Sequence, residues 1–183
     1  MKSLQGYLLL ASPKLRDPNF AQSVVLIVQH DENGALGLIV NRPTETTLAD
    51  AWSQVSETAC VSQAKLFQGG PCEGPLMVLH GKPSVGQMEV TSGVYFSTEA
   101  ESVTWLVQNE AVPAKYFVGY AGWSPGQLEA ELVDTGWQVA PAEAEHIFDT
   151  PEDYWLKLTQ TLARSRTYPQ VTDKTMPTDP SMN

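Results

Sequence analysis

Apolar residues in the first half of the chain fall in short unbroken runs. Gln22–Val28 reads Gln-Ser-Val-Val-Leu-Ile-Val and Ala35–Val40 reads Ala-Leu-Gly-Leu-Ile-Val. Runs of this length, rich in β-branched residues, predict strands. Between them lies His30-Asp31-Glu32-Asn33-Gly34, where Asn33-Gly34 predicts a hairpin because both residues tolerate the positive φ of tight turns. His30, Asp31 and Glu32 are expected to be solvated turn residues there, not metal ligands. Runs at Gly6–Ala11, Lys65–Phe67, Leu76–Leu79, Val94–Phe96 and Lys115–Val118 extend the predicted sheet.

Other stretches change to helical spacing. Leu48, Ala51, Trp52 and Val55 fall at i, i+3, i+4 and i+7 within Thr47–Val55, which makes one apolar stripe. Thr98-Glu99-Ala100-Glu101 matches a T-x-x-E capping box ahead of Val103, Leu106 and Val107, so a second helix is expected to end near Asn109. Thr150-Pro151-Glu152-Asp153 predicts a third start, with Thr150 as cap and a stripe of Trp155, Leu158 and Leu162 beside Tyr154. Strands and helices mix without strict βαβ alternation, so the fold class is α+β. Residues 1–166 are expected to form a single domain. Residues 167–183 carry three prolines, four threonines and little to bury, and are expected to be a flexible tail.

Composition narrows the function classes. A 183-residue chain with 42% hydrophobic residues is large enough to bury one core. Its net charge of -10 is concentrated in residues 101–160, where two Lys/Arg face ten Asp/Glu. Nucleic-acid affinity rests on clustered Lys and Arg at phosphates, so direct DNA or RNA binding is disfavoured. Tyr7–Ala11 is far shorter than the roughly 20 residues that span a bilayer, and Ser12-Pro13-Lys14-Leu15-Arg16-Asp17 after it resembles no cleavage site. A cytoplasmic protein without membrane association is expected. Cys60 and Cys72 lack CxxC spacing and are expected to be reduced thiols. His30, His80 and His146 lack zinc spacing, and no cofactor is implied.

One short stretch raises a catalytic question. Gly122-Trp123-Ser124-Pro125-Gly126 fits G-x-S-x-G, between a strand expected at Lys115–Tyr120 and a helix expected at Gln127–Val133. That is the setting of a nucleophile elbow, whose oxyanion hole uses the N–H of the residue after the serine. Pro125 has none, and such a donor is worth roughly 3 kcal/mol in the transition state. The only partners in hydrolase order are Asp134 and His146, within a short downstream span. The alternative accounts for each residue: Ser124 as N-cap, Pro125 at N1, and Gln127 reaching back to complete S-x-x-Q. Leu128 and Leu132 then stack on the buried side.

Three longer stretches together resemble a known family. Leu8–Pro43 (LLLASPKLRDPNFAQSVVLIVQHDENGALGLIVNRP), Phe67–His80 (FQGGPCEGPLMVLH) and Tyr116–Leu132 (YFVGYAGWSPGQLEAEL) are similar, in order and spacing, to the three signature blocks of the YqgE/AlgH family of bacterial proteins. The resemblance runs from about Gly6 to Leu162 and lapses in the segment that follows. It implies a small cytosolic protein with a mostly antiparallel bifurcated sheet curled into a partial barrel, helices packed outside, and no established enzymatic activity. One branch of the family carries the label of transcriptional regulator. With so acidic a chain, that role is expected to run through a protein partner.

Within these blocks, Asn41-Arg42-Pro43 ends a strand, and Arg42 is expected either to pair with a carboxylate of the acidic third quarter or to hold an anion. Gly69-Gly70-Pro71 predicts a tight turn or the floor of a ligand site. His80 is expected to be a partly buried, hydrogen-bonded histidine. The chain therefore reads as a non-enzymatic binding or regulatory protein with a protein partner. A second reading places a small-molecule or anion site where Asn41, Arg42, Gly69, Gly70, Trp123, Ser124 and Gln127 converge, and a hydrolase using Ser124 ranks third.

Overall fold

The computed structural model describes residues 2–109, 112–134 and 136–167. The apolar runs are unbroken because the strands they form are buried on both faces. In β1 (Tyr7–Ala11), Leu8 and Leu10 enter one core and Leu9 and Ala11 another. The same division separates Val24, Leu26 and Val28 from Val25 and Ile27 in β2 (Val24–Asp31). With β3 (Gly34–Ile39), β10 (Ala121–Trp123) and β11 (Trp137–Pro141) they form a five-stranded antiparallel sheet in the order β10-β3-β2-β1-β11.

A six-stranded sheet contains β4 (Pro43–Thr47), β5 (Lys65–Gln68), β6 (Met77–His80), β7 (Met88–Thr91), β8 (Val94–Ser97) and β9 (Ala114–Val118). Its order is β4-β5-β9-β6-β8-β7, antiparallel except for the parallel pair β5–β9. The two sheets enclose the largest core, in which Leu26, Leu38, Leu79 and Phe117 are fully buried. They form an open pair and not a closed barrel.

Helices cover the outer face of each sheet and also reach the core between them. On the six-stranded sheet, α1 (Leu48–Val55) and α2 (Ala100–Gln108) bury Leu48, Trp52, Leu106 and Val107 against Leu66, Val78 and Tyr116. On the other sheet, α3 (Gln127–Val133) buries Leu128 against Ile27, Ile39 and Trp123. The short α4 (Glu145–Phe148) and the long α5 (Tyr154–Thr167) supply Ile147 and Tyr154 to the central core, with Trp155, Leu158 and Leu162 packed beside them. The stripe predicted on α5 is therefore the one it buries. The expected tail lies outside the described residues, apart from Thr167 at the end of α5.

Several local expectations are corrected by tertiary partners. The β2–β3 hairpin forms, but it closes one residue early: Asp31 pairs with Gly34, which carries φ 123°, around Glu32-Asn33. His30 is buried in β2, not solvated in a turn. Its Nδ1 accepts the N–H of Leu4, so Nε2 carries the proton and donates to Glu129 at 3.0 Å. Thr98 does not cap α2; Glu99 is its N-cap, and Gln87 Oε1 accepts the N–H groups of Thr98 and Glu99. Thr150 does not cap a helix either, because α5 begins at Tyr154 and the threonine hydroxyl is bonded in the interior. Val55, the last residue of the α1 stripe, is exposed.

Candidate functional site

The three sequence blocks meet along the seam between the sheets, and the meeting is made by backbone. The Gly69 carbonyl accepts the N–H of Ile39, the Gly69 N–H donates to the Val118 carbonyl, and Gln68 N–H donates to the Arg42 carbonyl. Cys72 and Tyr120 exchange both of their bonds, at 2.9 and 3.0 Å. Chain crosses chain here so closely that a Cβ on Gly70 would overlap the Tyr120–Ala121 peptide. Gly119 takes φ 71° to bring the chain from β9 into the other sheet as β10. The glycines are thus required by the crossing itself.

Asn41 and Arg42 hold the segment ahead of β2. Asn41 Oδ1 accepts the N–H of Val24 at 2.8 Å, and its Nδ2 donates to the Gln22 carbonyl at 3.0 Å. The Arg42 guanidinium donates to the carbonyls of Asn19 and Ala21 at 2.6 and 3.2 Å. These bonds clamp a segment in which Gln22 is held at φ 57°, a left-handed conformation that a residue with a Cβ seldom adopts. Among the described residues no carboxylate lies within 4.0 Å of Arg42. The expected ion pair is replaced by carbonyl bonds, although Glu152 and Asp153 share a cavity of about 410 Å³ with Asn41 and Arg42.

Ser124 does not cap α3. Its carbonyl accepts the N–H of Gln127 at 3.0 Å, and Gly126 at φ 75°, ψ -6° is the N-cap. Proline followed by a glycine of positive φ makes this a type II turn. The predicted reach-back is present, since Gln127 Oε1 accepts the Ser124 N–H at 3.0 Å. The strand-turn-helix reading is corrected in one further respect: β10 intervenes, so Trp123 is the last residue of a sheet strand and not part of the turn.

Gln127 and Trp123 lead to the feature that local patterning misses. Glu131 Oε2 accepts both indole N–H groups, from Trp123 and from Trp137, each at 3.0 Å. Its Oε1 accepts the Gln127 amide at 2.9 Å, one helical turn away. Phe20 stacks on Trp123 with centroids 6.2 Å apart and meets Trp137 edge-on at 5.4 Å. Buried indoles need an acceptor, and a single carboxylate serves both. Beside this cluster a cavity of about 500 Å³ is lined by Leu15, Phe20, Glu131 and Trp137, with Lys14 and Arg16 among the charged groups around it.

The sequence-predicted residues do not share one cavity. Asn41 and Arg42 line one, Gly70 a second with Thr44 and Cys72, and Trp123 a third with Gly34 and Leu36. Gly69 is held in the seam, and Ser124 and Gln127 are exposed at the α3 turn. Cys60 and Cys72 are free thiols.

Two buried ionisable groups lie elsewhere. His80 is fully buried; its Nδ1 accepts the Lys82 N–H, so Nε2 donates to Ser97 Oγ, which donates to the Val85 carbonyl. Desolvation holds its pKa below the ordinary histidine value. Lys115, 5% exposed on β9, donates to the Val40 carbonyl at 3.1 Å and to Thr150 Oγ1 at 2.6 Å, with Nζ 4.2 Å from the centre of the Phe67 ring. Burial pushes its pKa down to about 7, while the charge of Asp149 opposes that shift. Among the described residues no group of His, Cys, Asp and Glu could hold a metal ion, and no helix is long and apolar enough to cross a membrane.

The AlgH-like family model matches residues 8–165, nearly the whole folded chain and all three blocks. The chain belongs to the AlgH-like family. It is 37% identical to a UPF0301 protein of Stutzerimonas stutzeri over 161 residues, covering 84% of this chain and 85% of that one. It is 38% identical to a UPF0301 protein of Chlorobaculum tepidum over 157 residues, covering 82% of each. The solution structure of AlgH from Pseudomonas aeruginosa superposes with a TM-score of 0.72 at 30% identity, covering 98% of this chain and 100% of that one. A crystal structure from Corynebacterium diphtheriae, 23% identical, shares the fold with a TM-score of 0.68 over 88% of each chain. In this AlgH-like protein Phe20 escaped sequence reasoning because it lies far from its partners in the chain. Glu131 and Trp137 escaped it because, though only six residues apart, they belong to a helix and a strand whose packing no local pattern shows. The one signal available was the spacing of Gln127 and Glu131 at i, i+4 behind Trp123.

Proposed function

We propose that this AlgH-like protein acts by binding and not by catalysis, and that the cavity bordered by Lys14–Asp17, Phe20 and Trp137 is its recognition site. The observation that carries the proposal is the wall of that cavity. Glu131 ties two indoles and an amide into one rigid unit, and a pre-formed concave surface of aromatic rings with a few polar groups is what ligand sites share. The reading is supported by how polar side chains singled out in the sequence are used. Both nitrogens of His80, both ends of the Asn41 amide and two donors of Arg42 are committed to internal bonds.

A regulatory role in the cytosol, exerted through a protein partner, agrees with the acidic residues of the 101–160 stretch and is part of the proposal. The test is a fragment screen on the ¹⁵N-labelled protein, with an ester and phosphate-ester turnover panel run in parallel. Shifts concentrated at the Trp123 and Trp137 indole N–H signals and at residues 12–20, without turnover, are expected. Turnover proportional to protein concentration, abolished by Ser124→Ala, would overturn the proposal.

A further inference from the structure

If the cavity beside Phe20 and Trp137 is the recognition site, as proposed above, its lining also selects the charge of the ligand. Lys14, Arg16, Asp17, Glu131 and Asp134 all line it. By formal count the carboxylates outnumber the cations, and a basic ligand would follow. Hydrogen bonding leaves that formal count unchanged but decides which groups are free to meet a ligand. Glu131 already accepts three N–H groups, and Asp17 Oδ1 accepts the N–H of Asn19 at 2.8 Å. Among the described residues, neither the Lys14 ammonium nor the Arg16 guanidinium has a carboxylate within 4.0 Å or an internal acceptor. Among the described residues, Asp134 at the C-cap of α3 and Asp17 Oδ2 are the carboxylate oxygens of the lining left without a hydrogen bond, beside two free cations.

The apolar part of the lining is aromatic. Phe20 and Trp137 contribute ring surface, and Leu15 contributes an aliphatic side chain. A volume of about 500 Å³ suits a small molecule. We propose that the cavity takes a small planar anion: an aryl or heteroaryl body set against Phe20 and Trp137, carrying a carboxylate or phosphate that meets Lys14 and Arg16. Arginine matches both groups, because its planar fork donates two parallel bonds to their oxygens.

The experiment titrates the full ¹⁵N-labelled chain with benzoate, phenyl phosphate, benzyl alcohol, benzylamine and inorganic phosphate, and follows the Trp123 and Trp137 indole N–H signals. The two aryl anions are expected to bind about tenfold or more tightly than benzyl alcohol, the scale of one charge-assisted hydrogen bond. Lys14→Ala with Arg16→Ala should remove that advantage while leaving the melting temperature and the binding of benzyl alcohol unchanged. Benzylamine binding as tightly as benzoate overturns the anionic assignment but leaves the cavity as a binding site. Inorganic phosphate matching phenyl phosphate overturns the aromatic half. No shift with any probe up to about 10 mM overturns both the ligand class and the recognition site, since even affinities weaker than 1 mM register at that concentration.

Discussion

Replacing Lys115 with methionine keeps an unbranched apolar stem in the interior and deletes the ionisable group. The effect is best read through pH. Lys115 has a pKa of about 7 in the folded protein and 10.5 as an ordinary lysine. Between these values the unfolded chain binds a proton that the folded protein has released, so folding stability rises with pH. One proton of difference gives a slope of about 1.4 kcal/mol per pH unit, and about 2 kcal/mol accumulates between about pH 7.5 and about pH 9. The window ends there because burial raises the Tyr154 phenol above its ordinary value of 10.0. At higher pH the unfolded tyrosine loses its proton first, which gives a slope of opposite sign. In Lys115→Met the Val40 carbonyl still accepts from Thr150 Oγ1 at 3.1 Å, so the fold is expected to survive. Urea unfolding across a buffer series should show wild-type stability climbing by about 2 kcal/mol relative to the variant over the window. Parallel pH profiles would refute the reasoning. They would mean that the carbonyl, the hydroxyl, the Phe67 ring face and Asp149 hold Lys115 as a cation in the folded protein.

Three further outcomes follow from the geometry. Glu131→Ala strips the acceptor from two indoles that are each 6% exposed and should cost about 2–4 kcal/mol in urea unfolding, with both indole N–H signals displaced; unchanged stability would contradict the clamp. Gly70→Ala forces a Cβ into the Tyr120–Ala121 peptide and should cost about 3 kcal/mol or abolish soluble expression, so a variant with a wild-type melting temperature would show that the seam is not tightly packed. Ser124→Ala should fall within about 0.5 kcal/mol of wild type because the serine is exposed and does not cap the helix, while Gly126→Ala should cost about 1 kcal/mol from its positive φ; equal effects in thermal melts would argue against the type II turn.

Much of the candidate site was not legible in the chain. Trp123 and Gln127 were marked by a local motif, but their partners Phe20, Glu131 and Trp137 come from a loop, a helix and an edge strand. Asn41, Arg42 and the Gly69-Gly70 pair were identified as special positions, and the structure uses them in backbone clamps and a chain crossing. Arginine and glycine serve ligands and crossings with the same chemistry, so residue type alone does not separate the two. Capping was misread at Thr98, Ser124 and Thr150 for a related reason. A polar side chain at a helix start has a local use, yet Gln87 reached the α2 start from a neighbouring loop and Thr150 found a better partner in the core.

The sequence by itself determined the strands that are rich in β-branched residues, the apolar stripes of α1, α2 and α5, the α+β class and the family. The strands, stripes and class depend on propensity and periodicity over a few residues, and the family on the likeness of three longer blocks. The tertiary structure decided which sheet each strand joined, why glycine is needed at the seam, and where Lys115 and Phe20 find their partners. Such contacts depend on residues far apart in the chain, for example Lys115 and Val40 or Phe20 and Trp137, and only the packing of two sheets against each other brings them within bonding distance.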